Sequence, residues 1–207
     1  SACRDAFAGV LEKLSYQKES VTLVIDHHQV VTRSITVPAR DEREIERMVG
    51  FQAGTLLPYS PEDIAVGYLP VAAGYDGYTH LYLSLAPRPL IEQYLTALES
   101  LSAPVESVYL NASGLAAMCA ETGHGIDSDV IAVMADEQAA DLVVVSKGLP
   151  ALSRSVRLSG DNSESLVRHI RDTQELYLSQ SQAGPVTAVV LFDNSPHIGS
   201  EDPIARQ

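Results

Sequence analysis

The chain is predicted to be an α/β protein with mixed sheets, on three observations. Short β-branched runs alternate with stretches whose apolar residues recur at helical spacing. Some strands are joined by short turns and others by helices, so antiparallel hairpins and parallel crossovers are expected together. The apolar fraction, 45% of 207 residues, is that of an ordinary globular protein, and no low-complexity segment interrupts the chain.

In chain order, residues 4–14 read as a short helix with Ala6, Phe7, Val10, Leu11 and Leu14 on one side. "VTLVI", 21–25, is a β-branched strand, Asp26, His27 and His28 make a turn, and 30–38 is a second strand ended by Pro38. A helix over 41–57 starts on a capping-box pattern, Asp41 with Glu44, and carries Ile45, Met48, Val49, Gln52 and Leu56 along one face. Strands near 64–71 and 79–85 are joined by the Gly-containing hairpin loop "AAGYDGYT". The clearest helix spans 87–101, with Pro89 in its first turn and Leu90, Ile91, Tyr94, Leu95, Leu98 and Leu101 as its apolar stripe. A strand at 105–110, a helix at 112–121, a hairpin over 130–146 and a third strand at 151–158 follow. A helix over 163–178 carries Leu166, Ile170, Thr173 and Tyr177 on one face, and "VTAVVLF", 186–192, is a strand of the buried type. The Gly/His/Asp/Ser cluster at 120–129 marks a subdomain boundary.

Acidic residues outnumber basic ones 27 to 14, a formal charge of −13. That field repels a phosphate backbone, and no Lys/Arg cluster is interleaved with aromatics, so nucleic acid is not an expected partner. No apolar run reaches the roughly 18 residues needed to span a bilayer, and Arg4, Asp5, Glu12 and Lys13 among the first residues do not fit a signal peptide. The chain opens at Ser1 rather than Met, so the native protein is expected to extend further, and a membrane anchor outside it stays compatible. Cys3 and Cys119 match no metal or redox spacing and are expected to be reduced, mostly buried thiols.

The constellations that could carry chemistry are few. His27 and His28 are adjacent in an extended turn, where neighbouring side chains diverge, so a solvated turn is expected rather than a metal site. Asp136, Glu137 and Asp141 could hold a divalent cation but are expected to be a solvated acidic turn. Ser113, in "YLNASGLA", stands where a strand turns into a helix, the place of a hydrolase nucleophile, with Asp127 or Asp129 and His169 or His197 following in order. Asn111, however, replaces the Gly that relieves crowding two residues before such a Ser, so Asn111 or Ser113 is expected to cap the helix instead.

The stretch 34–71, "SITVPARDEREIERMVGFQAGTLLPYSPEDIAVGYLPV", resembles the PilM-type pilus-assembly proteins, relatives of the GspL cytoplasmic domain of type II secretion. The family's "I-x-x-P" strand end is matched by Ile35 and Pro38, and its "hhPhxxEDhxhxY" pattern by Leu56, Leu57, Pro58, Tyr59, Ser60, Pro61, Glu62, Asp63, Ile64 and Tyr68. The segments "LYLSLAPRPLIEQYLTALESL" and "VESVYLNASGLA" continue the likeness, which covers about residues 20 to 192 and is most specific over 34–110. The resemblance implies an actin-like ATPase (RNase H-like) fold, short of its N-terminal strands. It implies a first subdomain in 1–33 and 102–125, an inserted α/β subdomain in 34–101 and a second subdomain in 126–207. Family members are cytoplasmic platform proteins that bind inner-membrane partners, and several hold ATP.

In the family the hairpin matching 130–146 begins with a D-x-G-type turn facing the nucleotide phosphates. Here Met134 stands where the Asp should be and Asp136 where the Gly should be. Methionine cannot coordinate as a carboxylate does, and an aspartate adds charge and a Cβ where glycine left the backbone free. The late strand runs into Phe192, Asp193, Asn194 and Ser195 rather than the family's Gly-Gly, and the first phosphate hairpin would lie before Ser1 or be absent. The expectation is therefore a noncatalytic scaffold of a type IV pilus or type II secretion assembly, without cofactor or metal. It would be cytoplasmic, at the inner-membrane face through an inner-membrane assembly partner, and a strand at 21–25 or 30–37 left at an edge is expected to pair either with a second copy of the chain, giving a homo-oligomer, or with a partner's extended segment. An active Mg-ATP-binding ATPase of the same fold is the alternative, and a serine hydrolase using Ser113 a further one.

Overall fold

The structure, a computed structural model, describes residues 2–56, 60–73, 77–159, 162–180 and 184–193. Leu57, Pro58 and Tyr59 of the family-like pattern, the centre of the 72–79 loop, and Asn194, Ser195 and His197 lie outside the described residues.

The first layer is built from both ends of the first 110 residues. Strand β1 (Val21–Ile25) pairs in parallel with a strand 84 residues further on, Val105–Leu110, numbered β5 below. Leu23 and Ile25 point to one face and are buried there with Leu98 and Ala103. Helix α1 (Ala2–Lys13) supplies Phe7 and Leu11 to this core, and Phe7 meets Tyr94 edge-on at a ring separation of 5.9 Å.

Between these strands the chain makes an antiparallel sheet in the order β2 (Val31–Val37), β4 (Thr79–Pro87), β3 (Ile64–Ala73). Period-two alternation gives it two unlike faces. On one face, Val37, Ile64, Leu81, Leu83 and Leu85 are buried under helix α2 (Glu42–Leu56), which contributes Ile45, Val49 and Ala53. Asp41 begins that helix as expected, its Oδ1 accepting the N–H groups of Arg43 (3.1 Å) and Glu44 (3.3 Å). Gln52, expected on the packed face, is exposed, and Ala53 takes the place.

Helix α3 (Arg88–Glu99) follows β4 directly. An inserted subdomain in 34–101 would place it with α2 against the small sheet. It instead packs with α1 and β1, because Leu98, Ile91 and Tyr94 face the first core.

The third layer is a sheet in the order β8 (Leu149–Arg157), β7 (Ala139–Ser146), β6 (Asp129–Ala135), β9 (Val186–Asp193). Helix α4 (Asn111–Glu121), which grows directly out of β5, covers the face made by Val130, Ala132, Val143 and Val145 with its Ala112, Leu115, Ala116 and Cys119. The opposite face, Ile131, Val133, Leu142 and Val144, lies under helix α5 (Asn162–Leu178) through Tyr177, Leu166 and Ile170. Gly125 makes the close turn into this sheet: its φ is +74°, and a Cβ there would come 2.6 Å from a Val145 methyl. Strand β9 differs from its reading as a buried strand. It is the sheet's outer strand, paired in parallel with β6 alone among the described residues, and Leu191 is 59% exposed.

Candidate functional site

The turn between β6 and β7 closes on itself. The Asp136 N–H donates to the Ala139 carbonyl (2.9 Å), and its carboxylate Oδ1 accepts the N–H groups of Gln138 (2.7 Å) and Ala139 (2.8 Å). These donors hold the Asp136 carboxyl below its ordinary range. The amides that could face an anion are thus occupied by the chain's own carboxylate. Met134 is half-buried and does not stand free as a ligand either. It packs against the core beneath α4, in one cross-strand row with Asp141 and Phe192. No group of three or more acidic, His or Cys side chains positioned for a metal occurs among the described residues. Asp141 is turned away from the acidic turn: its Oδ2 accepts a hydrogen bond of 2.6 Å from Asn111 Nδ2, at the first residue of α4.

The remaining sequence candidates are dispersed. Asn111 and Ser113 do not cap α4; Leu110 is its N-cap and makes no side-chain cap bond. Ser113 and His169 cannot form a catalytic pair, because α4 and α5 lie on opposite faces of the same sheet. Asp129 is engaged elsewhere, accepting from the Tyr177 hydroxyl (2.8 Å) and the Gly184 N–H (3.1 Å). Burial and the Asp129 carboxylate push the Tyr177 phenol up to about 12. The Ser113–His169 pairing is therefore excluded by placement, while His197, the other candidate base, lies outside the described residues. His28 lies in an exposed turn with its ring against Asp26 (2.9 Å), and Cys3 and Cys119 are free thiols, the second fully buried.

What the fold does create is a groove. The second face of the β2–β4–β3 sheet carries small residues in register, Ala65 opposite Ala86 and Gly67 opposite Ser84. They leave a cavity of about 350 Å³ between β3 and β5, walled by Val108, Tyr109 and Leu110 and also lined by Ile91 and Ser113. A Cβ built on Gly67 would meet nothing within 4 Å. Both flanking strands are outer strands of their sheets among the described residues, so their free backbone edges border the groove. Pro70 and a register shift beyond it interrupt the β3 edge at one end.

Further along the same face the small residues give way to hydroxyls. Tyr82 and Thr32 are hydrogen-bonded to Ser153 of β8 (2.5 and 3.0 Å), and the Ser34 hydroxyl donates to the Ala151 carbonyl (2.5 Å). The groove floor is thereby fastened to the third layer. Sequence reasoning missed the groove. The signal was present as alternation of small residues, Ala65, Gly67, Ser84 and Ala86, opposite the large residues of the α2 face.

No family model matches the sequence, and no curated protein matches it. Solved structures do. The PilM–PilN type IV pilus biogenesis complex is matched at a TM-score of 0.75 and 16% identity, over 93% of this chain and 68% of that one. The cytoplasmic domain of EpsL, an inner-membrane component of the type II secretion system of Vibrio cholerae, is matched at 0.57 and 13% identity, over 94% and 68%. A Bacteroides thetaiotaomicron protein of unknown function with an actin-like ATPase fold is matched at 0.51 and 12% identity, over 94% and 68%. The chain has the actin-like ATPase fold, and the resemblance read over residues 34–110 holds at the level of that fold. No helix among the described residues is long and apolar enough to cross a membrane.

Proposed function

We propose that this chain is a noncatalytic platform component of a type IV pilus or type II secretion assembly. It works at the cytoplasmic face of the inner membrane and holds an extended apolar segment of an inner-membrane partner. The observation that carries this reading is the groove between β3 and β5: about 350 Å³, floored by small residues and bordered by two free strand edges. Apolar walls suit apolar side chains, and free N–H and C=O groups suit a strand rather than a helix, which satisfies its own backbone. Similarity to a PilM–PilN complex supports the choice of a pilus-type partner, and similarity to the EpsL cytoplasmic domain supports the membrane-proximal setting.

The same reading holds the chain to be without nucleotide. A polyphosphate at the β6–β7 turn would have to displace the Asp136 carboxylate from the Gln138 and Ala139 amides and lie beside its charge. The direct test is fluorescence anisotropy with the labelled cytoplasmic segment of the inner-membrane protein encoded beside this chain. Saturable binding that an apolar-to-Ser version of the segment loses supports the proposal, and absence of binding at millimolar protein refutes it.

A further inference from the structure

The groove's two sides are tied to the third layer by different means. The floor is fastened through the buried hydroxyls of Tyr82, Thr32 and Ser153. The opposite wall, the end of β5, passes at Leu110 straight into α4, whose first residue is Asn111. Asn111 reaches across to β7, and its Nδ2 donates to Asp141 Oδ2 at 2.6 Å. The amide orientation is fixed by this partner: turned over, it would set two acceptor oxygens against each other. Its own Oδ1 is buried without a partner among the described residues. A buried carbonyl left unpaired is costly, so the contact on the other side of the amide holds the side chain where solvent would otherwise draw it.

We infer that Asn111 and Asp141 form a latch that sets the position of the groove's β5–α4 wall, making both of them positioning residues for the partner segment. The latch rests on the groove being the partner site. Neither side chain lines the groove, yet Leu110, immediately before Asn111, and Ser113, two residues after it, both do. With the floor fixed on β8, the place of this wall decides the width offered to an incoming strand. A charge-assisted contact there pre-organises the groove, which lowers the ordering cost of binding.

The test has two arms, on the whole chain. Hydrogen exchange of the free protein is followed over amides 108–114 in wild type, Asn111→Ala, Asp141→Ala and Asp141→Asn. Both alanine variants are expected to exchange at least tenfold faster there, with unchanged protection in α5. Asp141→Asn is expected to keep much of the protection, since its side-chain carbonyl still accepts from Asn111. The second arm measures binding of the synthetic cytoplasmic segment described above, with a five- to twentyfold loss of affinity expected in the alanine variants and a smaller loss in Asp141→Asn. Unchanged exchange in both alanine variants overturns the latch. Faster exchange with unaltered affinity overturns its positioning role. Absence of binding by wild type removes the partner reading, while the exchange arm still decides whether the latch exists. Should an alanine variant fail to fold, judged by lost protection in α5, Asn111→Asp, which sets like charges face to face, replaces it with the same expectation.

Discussion

Leu98→Ala tests how the first layer is assembled. Leu98 is 2% exposed and lies between α3 and β1, among Leu23, Ile25 and Ala103. Truncation removes three carbon groups from the core, worth about 2–2.5 kcal/mol at roughly 0.8 kcal/mol each. Its neighbours Ala97 and Ala103 are already small and buried, so they offer little to fill the space, and a cavity adds to the loss. A total of about 2–5 kcal/mol is expected. Urea unfolding followed by circular dichroism reads this directly: with a slope of about 1–3 kcal/mol/M, the midpoint falls by roughly 0.7 M or more. Phe51→Ala is the control. Phe51 is the larger residue, but it is 76% exposed on α2, so its loss should stay within about 0.5 kcal/mol. Equal effects of the two substitutions, or a Leu98→Ala midpoint within error of wild type, would refute the packing of α3 on β1.

Four further outcomes are expected. In alkaline titration by tyrosine absorbance, Tyr177→Phe should remove the component near pH 12; because the folded value is raised, the stability tied to the Tyr177–Asp129 bond is complete below pH ~10 and lost as pH rises toward 12. Millimolar Mg-ATP should leave the thermal midpoint unchanged, whereas a ligand at ~100 times its Kd would stabilise by about 2.7 kcal/mol; the Asp136 carboxyl, held low, should keep the Gln138 and Ala139 amides protected above pH ~4 and release them as pH falls through its folded value, and early release in wild type would contradict the closed turn. Strand β1 has β5 as its one partner among the described residues, and Val24 is 55% exposed, so self-association by strand addition should appear as concentration-dependent protection of amides 21–25, and identical protection at all concentrations would dismiss it.

Much of the fold was legible because its signals are local. The Asp41 cap, the stripes of α2 and α5, and the alternation in β6 and β7 each sit within one turn or one strand. Placement between distant elements was not legible. The α3 stripe shows that one face is buried, but not that Phe7 and Leu11, far earlier in the chain, bury it. The run at 186–192 has the composition of an interior strand, and only the sheet order reveals that β9 lies outermost. At the turn, Met134 and Asp136 announced a departure from the family pattern, but the carboxylate's capture of two amides needed coordinates. The groove was hidden because it arises from what Ala65, Gly67, Ser84 and Ala86 leave empty, and periodicity registers what side chains fill.

The central claim, that the β3–β5 groove is the partner site, is tested most directly by Gly67→Phe. Nothing lies within 4 Å of the position a Cβ would take, and a strand interior tolerates an aromatic better than glycine by up to roughly 1 kcal/mol, so the variant should unfold at or above the wild-type temperature. Its ring should occupy the groove and lower the affinity for the partner's cytoplasmic segment at least tenfold, about 1.4 kcal/mol. A folded Gly67→Phe protein that binds the segment as wild type does would contradict the account.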